Sequence, residues 1–180
     1  ESSKHIKARG FNLVLQLLPG LPEDTRQLAI MSAREAAKLA PDAVRIYPAV
    51  VFSGTRLENM MSKREYAPPT LDEAVDICAG MYEIFENAGI PVIRTGIHPL
   101  ENGSEKSIIA GAYHPSMGFL VKSRVRRNLL ERIISPLKGS AILISLPFNG
   151  KEEFIGPRRE NITYLQKKFG TIQTIDQIND

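Results

Sequence analysis

Two apolar patterns alternate along the first half of the chain. Nearly continuous apolar runs cover residues 11–18, 43–47 and 90–95. Between them, residues 25–40 and 71–88 place apolar side chains at the three-and-four spacing of a helix face. Continuous runs are typical of strands buried on both faces of a sheet. The order therefore predicts a parallel α/β sheet with right-handed crossovers.

Cap residues set the limits of these helices. Thr25 and Thr70 occupy N-cap positions, and Gly89 follows the last turn of the second helix. Residues 2–9 are interpreted as the end of a further helix, and residues 48–69 as one long loop. We expect an inward apolar face in each full helix. These faces comprise Leu28, Met31, Ala36 and Leu39 in the first helix, and Leu71, Ala74, Val75, Cys78, Met81, Tyr82, Phe85 and Ala88 in the second.

The pattern changes after Gly96 and indicates a second, smaller α/β unit. It predicts a helix over residues 115–138, a buried strand over 141–146, a short helix over 158–169 and an edge strand over 171–175. The expected inward residues are Leu120, Val121, Val125, Leu129, Leu130 and Ile133 in the first helix, and Ile162, Leu165 and Phe169 in the second.

The domain boundary is placed near His98. This gives a first domain of residues 1–98 and a second of residues 99–180. Three strands in the first domain are too few to close a barrel. If the fold is a barrel, this chain therefore holds only its last part.

Composition narrows the class of protein. The chain has 180 residues, of which 43% are hydrophobic and 24% charged, as in a globular protein of one or two domains. No apolar stretch is long enough to span a membrane. Cys78 is the only cysteine, which excludes a disulfide framework and an iron–sulfur cluster held by this chain alone. We expect a reducing, cytoplasmic location.

The positive charge is concentrated in one segment. The net charge is only +3, too small by itself to indicate nucleic-acid binding. Residues 121–138, however, contain a single acidic residue, Glu131, and a basic patch of Lys122, Arg124, Arg126, Arg127, Arg132 and Lys138. This patch is interpreted either as a phosphate-binding face or as a solvated helix face.

Candidate chemistry follows the predicted strands, because loops at the carboxyl ends of parallel strands carry ligand sites. Gly20 and Glu23 come after the first strand, where they are either ligand contacts or parts of a tight turn. Arg45 and Tyr47 lie at the second strand. Arg45 either pairs with a ligand carboxylate or extends to solvent at the sheet end, and Tyr47 either stacks on a ligand ring or packs in the loop.

The third strand leads into Arg94, Thr95 and Gly96, and His98 follows. His98 is either a general base or a turn residue, and His114 has the same two interpretations. A conventional hydrolase or transferase would use Glu23 and His98, but no nucleophile accompanies them.

Taken in order, these segments resemble a known family. "LQLLPGLPEDT", "DAVRIYPAVVFSGT", "REYAPPT", "AGIPVIRTGIHP" and "IIAGAYHPSMGFLVKSR" are similar to the later half of radical S-adenosylmethionine proteins. The nearest resemblance is to the radical domain of the elongator catalytic subunit and to bacterial proteins labelled oxygen-independent coproporphyrinogen III oxidase-like. It covers roughly residues 11–125, and the segment from about Ser140 onward resembles the small C-terminal domain of the bacterial group.

The resemblance implies the last strands of a partial (β/α) barrel, followed by a small C-terminal α/β domain. In this family a CxxxCxxC loop holds a [4Fe–4S] cluster, and S-adenosylmethionine bound to it yields a radical that abstracts a substrate hydrogen. That loop is absent here, so the chain is expected to hold no cofactor alone and to be inactive.

The resemblance assigns roles to individual residues of this chain. Gly20 and Glu23 match the glycine and acid of the family's strand-five motif, and Tyr47 matches the strand that approaches adenine, so the three imply cofactor binding. Residues 94–96 would face substrate. The basic patch, chiefly Lys122, Arg124, Arg126 and Arg127, would suit tRNA.

Several alternatives stay open at this point. The substrate of the whole protein is either tRNA or a tetrapyrrole. The expected partner is an N-terminal half, and an exposed sheet edge would otherwise favour self-association. The second hypothesis is a free-standing α/β binding domain that uses the basic helix as its docking face.

Overall fold

The structure, a computed structural model, describes residues 2–97, 107–137, 141–147 and 149–176. The chain divides into two compact units, residues 1–118 and 119–180. The domain boundary predicted near His98 lies outside the described residues, so it stays a prediction. Across the described residues, no helix combines the length and apolar character needed to cross a membrane.

The first unit contains the predicted α/β succession. Its elements are α1 (Ser2–Ala8), β1 (Val14–Leu17), α2 (Arg26–Lys38), β2 (Ala43–Ile46), β3 (Val50–Phe52), α3 (Arg56–Ser62), α4 (Leu71–Asn87), β4 (Val92–Thr95), β5 (Ile108–Gly111) and the start of α5 (Met117–Ile134). β1, β2 and β4 form a parallel sheet in that order, which confirms the α/β class and the parallel pairing.

The predicted caps hold the helices of this unit. The Thr25 hydroxyl accepts a hydrogen bond from the Leu28 amide at 3.2 Å. Thr70 and Glu73 form a capping box, in which the Thr70 amide donates to the Glu73 carboxylate at 2.8 Å. The hydrogen bonds from the Thr70 backbone and side chain lower the pKa of Glu73. These caps satisfy amides that the first helical turn leaves unpaired.

Helices α2 and α4 contact each other and the sheet, and among the described residues of this unit the burial pattern shows one covered face. Val44 and Ile46 in β2 are fully buried, whereas Arg45 between them is exposed. The prediction that the first strand is buried on both faces is wrong, since Val14 is 45% exposed and Phe11 67% exposed. β1 pairs with β2 alone, and its second face lacks a covering layer among the described residues of this unit.

The inward face predicted for α2 is wrong at three of its four residues, and the fourth, Ala36, is half-buried. Ala29 and Ala33 are buried, whereas Leu28, Met31 and Leu39 are exposed. The cause is close helix packing. A Cβ on Gly80 of α4 would lie 2.7 Å from the Ile30 side chain, so the two helices approach closely at Ile30, beside the buried Ala29 and Ala33. The face predicted for α4 is confirmed except at its ends, Leu71 and Ala88, which are exposed.

The predicted loop of residues 48–69 contains two elements, β3 and α3. β3 pairs antiparallel with β5, another element absent from the prediction. β3 has only three residues, and β5 ends in Ala110 and Gly111, residue types that are uncommon in strands. Their pairing requires a glycine, because a Cβ on Gly111 would lie 2.8 Å from the Ala49 carbonyl oxygen.

The second unit packs helices on a two-stranded parallel sheet. Its elements after α5 are β6 (Ile142–Leu146), α6 (Lys151–Ile155), a 3₁₀ turn (Pro157–Arg159), α7 (Glu160–Phe169) and β7 (Ile172–Asp176), with β6 paired to β7. Its core contains Leu130, Ile134, Leu165 and Ile172.

Most of the second-unit prediction is confirmed. α5 spans Met117–Ile134 within the predicted residues 115–138, and Val121, Val125 and Leu130 are buried as expected. Ile133 is exposed, contrary to the prediction. The strand predicted as buried alternates instead, because β6 turns only one face to the core. Helix α6 was not predicted.

A buried asparagine joins three elements of the second unit. The Asn161 side-chain amide donates to the Ser123 carbonyl and hydroxyl at 2.9 and 3.0 Å. It also donates to the carbonyls of Glu153 and Phe154 at 3.1 and 3.2 Å. Two N–H groups therefore serve four oxygens through shared bonds. Gly156 leaves room for this arrangement, because a Cβ there would lie 2.8 Å from the Asn161 side chain.

We predict that Asn161→Ala lowers the free energy of unfolding of the second unit by about 2–3 kcal/mol, because it strands buried carbonyls. Urea unfolding followed by circular dichroism measures this loss. The control is Asn59→Ala, at an exposed position of α3, with an expected change within about 0.5 kcal/mol. Equal effects of the two substitutions would contradict the structural role of Asn161.

Candidate functional site

The predicted site residues meet at one edge of the parallel sheet. β1, β2 and β4 end at Leu17, Ile46 and Thr95. Backbone hydrogen bonds continue past these ends: the Tyr47 amide donates to the Leu17 carbonyl at 2.8 Å, and the Gly96 amide to the Ile46 carbonyl at 2.9 Å. The structure thus brings Tyr47, Thr95 and Gly96 to one edge, where the loop containing Gly20 also begins.

The backbone of Gly20 is engaged within the chain. Its amide donates to the Asp24 carboxylate at 2.8 Å, and its carbonyl accepts from the Tyr66 hydroxyl at 2.6 Å. Its φ of +89° is left-handed, and a Cβ would lie 2.8 Å from Cγ of Pro69. These contacts give Gly20 a structural role in the turn. Its predicted contact with a cofactor stays a prediction.

Glu23 differs from its neighbour Asp24. The Asp24 carboxylate accepts hydrogen bonds from the amides of Gly20 and Thr25 at 2.8 and 2.9 Å. Glu23 is exposed with a left-handed φ of +65°, and no hydrogen bond to its carboxylate is present among the described residues. A non-glycine residue in this region carries backbone strain of about 1 kcal/mol or more. Glu23 is therefore the carboxylate of this loop that is open to a ligand.

The residues after β4 have distinct environments. Arg94 is exposed, Thr95 is half-buried and Gly96 is buried. Gly96 has a φ of +83°, and a Cβ would lie 2.6 Å from Cβ of Met117. Glycine at this position lets the start of α5 approach the end of β4. The role predicted for residues 94–96 toward a substrate stays a prediction.

The two candidate histidines have different outcomes. His98 lies outside the described residues. His114 accepts a hydrogen bond from the Ser116 amide at its Nδ1 atom, and its carbonyl accepts from the Met117 amide, both at 3.0 Å. These contacts cap the turn that begins α5. They support the structural interpretation of His114.

The basic patch on α5 is used in packing the second unit. Lys122 and Arg126 lie 3.4 and 3.6 Å from the carboxylate of Glu153. The Arg126 guanidinium lies 5.7 Å from the centre of the Phe154 ring, and that of Arg127 lies 4.5 Å from the Tyr164 ring. Arg124 is half-buried. These contacts reduce the charge that the patch presents, and its predicted role in tRNA binding stays a prediction.

Tyr66 and Pro69 are the residues near this site that sequence reasoning missed. Tyr66 is buried, and burial raises the pKa of its hydroxyl, which keeps it a donor to Gly20. Both residues belong to the "REYAPPT" segment, which contributed to the family resemblance. The segment therefore indicates the family, but its distance from Gly20 along the sequence does not predict that Tyr66 and Pro69 contact Gly20.

The residues present do not fit an iron–sulfur cluster. Such clusters are held by several Cys thiolates, and this chain contains Cys78 alone. Cys78 is buried on α4, and burial raises the pKa of its thiol to about 12. No group of three His, Cys, Asp or Glu residues suited to a metal is found in the part of the chain that the structure describes.

Comparison with known proteins shows which family the sequence of this chain matches. Residues 41–127 match the family model described as the Radical_SAM C-terminal domain. A tRNA uridine(34) acetyltransferase of Methanocaldococcus jannaschii is 30% identical over 80 residues, covering 43% of this chain and 15% of the relative. An uncharacterized protein of the same organism is 39% identical over 70 residues, covering 39% of this chain and 21% of the relative.

A solved structure extends the likeness to the fold. The archaeal Methanocaldococcus infernus Elp3 with an N-terminal deletion superposes with a TM-score of 0.57 at 23% identity, covering 72% of this chain and 30% of that chain. The sheet and the family match confirm the resemblance to the C-terminal half of radical S-adenosylmethionine proteins. The named relatives are tRNA uridine(34) acetyltransferases, and the Elp3 structure adds a likeness of fold. The chain spans less than a third of the length of each of these relatives.

We predict that Gly20→Ala destabilises the first unit more than Gly54→Ala does. Both glycines have left-handed φ values, but a Cβ on Gly54 meets no described atom within 4 Å. Gly54→Ala therefore costs only the backbone strain, about 1 kcal/mol, whereas Gly20→Ala adds overpacking against Pro69 and costs about 2–3 kcal/mol in total. Urea unfolding measures both, and equal costs would show that Pro69 does not constrain the loop.

Proposed function

We propose that this chain is the carboxyl-terminal part of a radical S-adenosylmethionine enzyme that modifies tRNA, and that the chain alone is inactive. The observation that carries the proposal is the Radical_SAM C-terminal domain match over residues 41–127, which includes β2, β4 and the residues that follow them, Tyr47 and Gly96. A cytoplasmic location follows as part of the same proposal.

In this proposal β1, β2 and β4 are the last strands of a partial (β/α) barrel. Two features support it. The sheet is parallel with helices on one face, as in a barrel wall, and β1 has a hydrogen-bonding partner on one side only. An N-terminal half of the protein then pairs with β1 and covers the exposed Val14 and Leu18. Without that half, the same edge promotes self-association.

Because this chain has a single cysteine, cofactor binding is divided between the N-terminal half and this chain. The N-terminal half supplies the three thiolates of the [4Fe–4S] cluster, since Cys78 cannot. Glu23 and Tyr47 contribute to the S-adenosylmethionine site from the carboxyl edge, with Gly20 shaping the loop between them. Bound there, S-adenosylmethionine would supply a radical that removes a hydrogen atom from the substrate. Arg94, Thr95 and Gly96 line the substrate side.

The substrate class rests on the relatives. Two matched proteins carry the name tRNA uridine(34) acetyltransferase, and none of the reported relatives is named for tetrapyrrole chemistry. We therefore propose tRNA rather than a tetrapyrrole. The alternative of a free-standing binding domain loses support, because Lys122 and Arg126, two cations of its docking helix, are paired with Glu153.

The test of the proposed reaction uses the longer protein encoded around this chain, purified anaerobically with its cluster. We expect 5′-deoxyadenosine to form in the presence of a tRNA with uridine at position 34. The matched control is the same tRNA with cytidine at that position, which should give little product. Equal product with both tRNAs, or with neither, would contradict the proposed substrate.

For the 180-residue chain alone, we predict that S-adenosylmethionine binds more weakly than about 1 mM, because most of its contacts lie elsewhere. Isothermal titration calorimetry measures this affinity. The result is read together with the elution volume in gel filtration, which we expect to indicate self-association through β1. A monomer with micromolar affinity would contradict the proposal that this chain is incomplete as a cofactor site.

A further inference from the structure

Two arginines lie side by side on the uncovered face of the first unit's sheet. Arg45 in β2 pairs in register with Arg94 in β4, and on its other side with Gln16 in β1. All three residues are exposed. Side chains in register on neighbouring parallel strands project to the same face, with strands about 4.8 Å apart. Gln16, Arg45 and Arg94 therefore form one polar row, named here the arginine row.

The burial pattern identifies the face on which this row lies. Val44 and Ile46 flank Arg45 and are fully buried on the side that α2 and α4 cover. Arg45 thus points to the opposite side. In β4 the register shifts opposite Val44 and Arg45, and both Ile93 and Arg94 are exposed. The shift is a local irregularity of the bulge type, which re-aims side chains.

No carboxylate neutralises the arginine row among the described residues. Two ion pairs described in the first unit, Arg26 with Asp76 and Lys38 with Glu35, involve helix residues and neither arginine of the row. Neither Arg45 nor Arg94 forms an ion pair or a side-chain hydrogen bond with another described residue. Like charges directly opposite each other on neighbouring strands are destabilising. An anion between the two guanidinium groups would remove this repulsion.

We propose that the arginine row binds an oxyanion, a carboxylate or a phosphate, of the ligand that enters on the open face. A guanidinium presents a planar fork of N–H donors that matches such a group in a bidentate manner. The Gln16 amide adds N–H donors next to Arg45. This inference rests on the proposed function only for the identity of the molecule that carries the oxyanion.

The test measures anion binding by the 180-residue chain in a low-salt buffer without phosphate. Pyrophosphate is the phosphate probe and malonate the carboxylate probe, and thermal unfolding and calorimetry provide the readouts. We expect one or both to raise the Tm of the unsubstituted chain, because a ligand that binds the folded state stabilises it. The stronger of the two identifies the source of the oxyanion.

Four substitutions distinguish binding at the arginine row from attraction by the net charge of the chain. Arg45→Gln and Arg94→Gln should each weaken binding about tenfold, and together they should abolish the rise in Tm. The control Arg34→Gln removes the same charge from an exposed position of α2 and should leave the affinity within about twofold. Arg94→Lys keeps the charge without the fork and should bind with intermediate affinity.

Two outcomes would overturn the proposal. One is an unchanged Tm of the unsubstituted chain with both probes. The other is an equal loss of affinity in Arg34→Gln and Arg45→Gln, which would indicate attraction by net charge alone. The experiment uses neither tRNA nor S-adenosylmethionine. A negative result therefore does not contradict the proposed reaction, and a failed test of that reaction does not contradict anion binding by the arginine row. Circular dichroism confirms that each variant is folded, and Arg94→Lys remains informative if the double variant is not.

Discussion

The parallel pairing of β1, β2 and β4, covered by helices on one face only, is the constraint on which the first unit depends. Val44 and Ile46 are fully buried in β2, and α4, which contacts β2 and β4, buries Cys78, Met81 and Phe85. The opposite face lacks such a layer among the described residues of this unit, so Val14 and the arginine row are exposed. A sheet with apolar residues on both faces and one covered face is the observation on which the proposed barrel wall rests.

The same pairing brings the candidate site together. Because parallel strands end at a common edge, three separate segments of the sequence meet there through backbone hydrogen bonds. Glycines then set the local geometry, with Gly20 fitted against Pro69 and Gly96 against Met117. The result is an edge whose backbone is fixed by the chain itself, while the carboxylate of Glu23 and the guanidinium of Arg94 stay exposed.

Cap residues and long helices could be predicted from the sequence because their signals are local. Thr70, Glu73 and Gly89 define α4 through contacts within one or two turns of the helix. The inward face of α2 could not be predicted in the same way. Ala29 and Ala33 are buried whereas Leu28 and Met31 are exposed, and α2 meets α4 where Ile30 lies against Gly80. Such packing between helices is a tertiary property.

The candidate site also combines features that a local sequence pattern predicts with features that depend on distant contacts. The alternation of strands and helices predicts that Gly20, Tyr47 and Gly96 lie at one edge, and the structure brings their segments together. The hydrogen bond from Tyr66 to Gly20 joins residues 46 positions apart, and no local pattern reveals it. The continuous apolar run of residues 11–18 predicts burial on both faces of β1, but burial depends on what covers a strand, and that information is not local.

The central claim is that this chain is the carboxyl-terminal part of a radical S-adenosylmethionine enzyme. The most direct measurement is the sequence of the coding DNA upstream of the codon for Glu1. The account predicts an open reading frame that continues upstream through alternating strand and helix patterns and contains a CxxxCxxC motif. A start codon at or just before Glu1, with no such motif upstream, would contradict it.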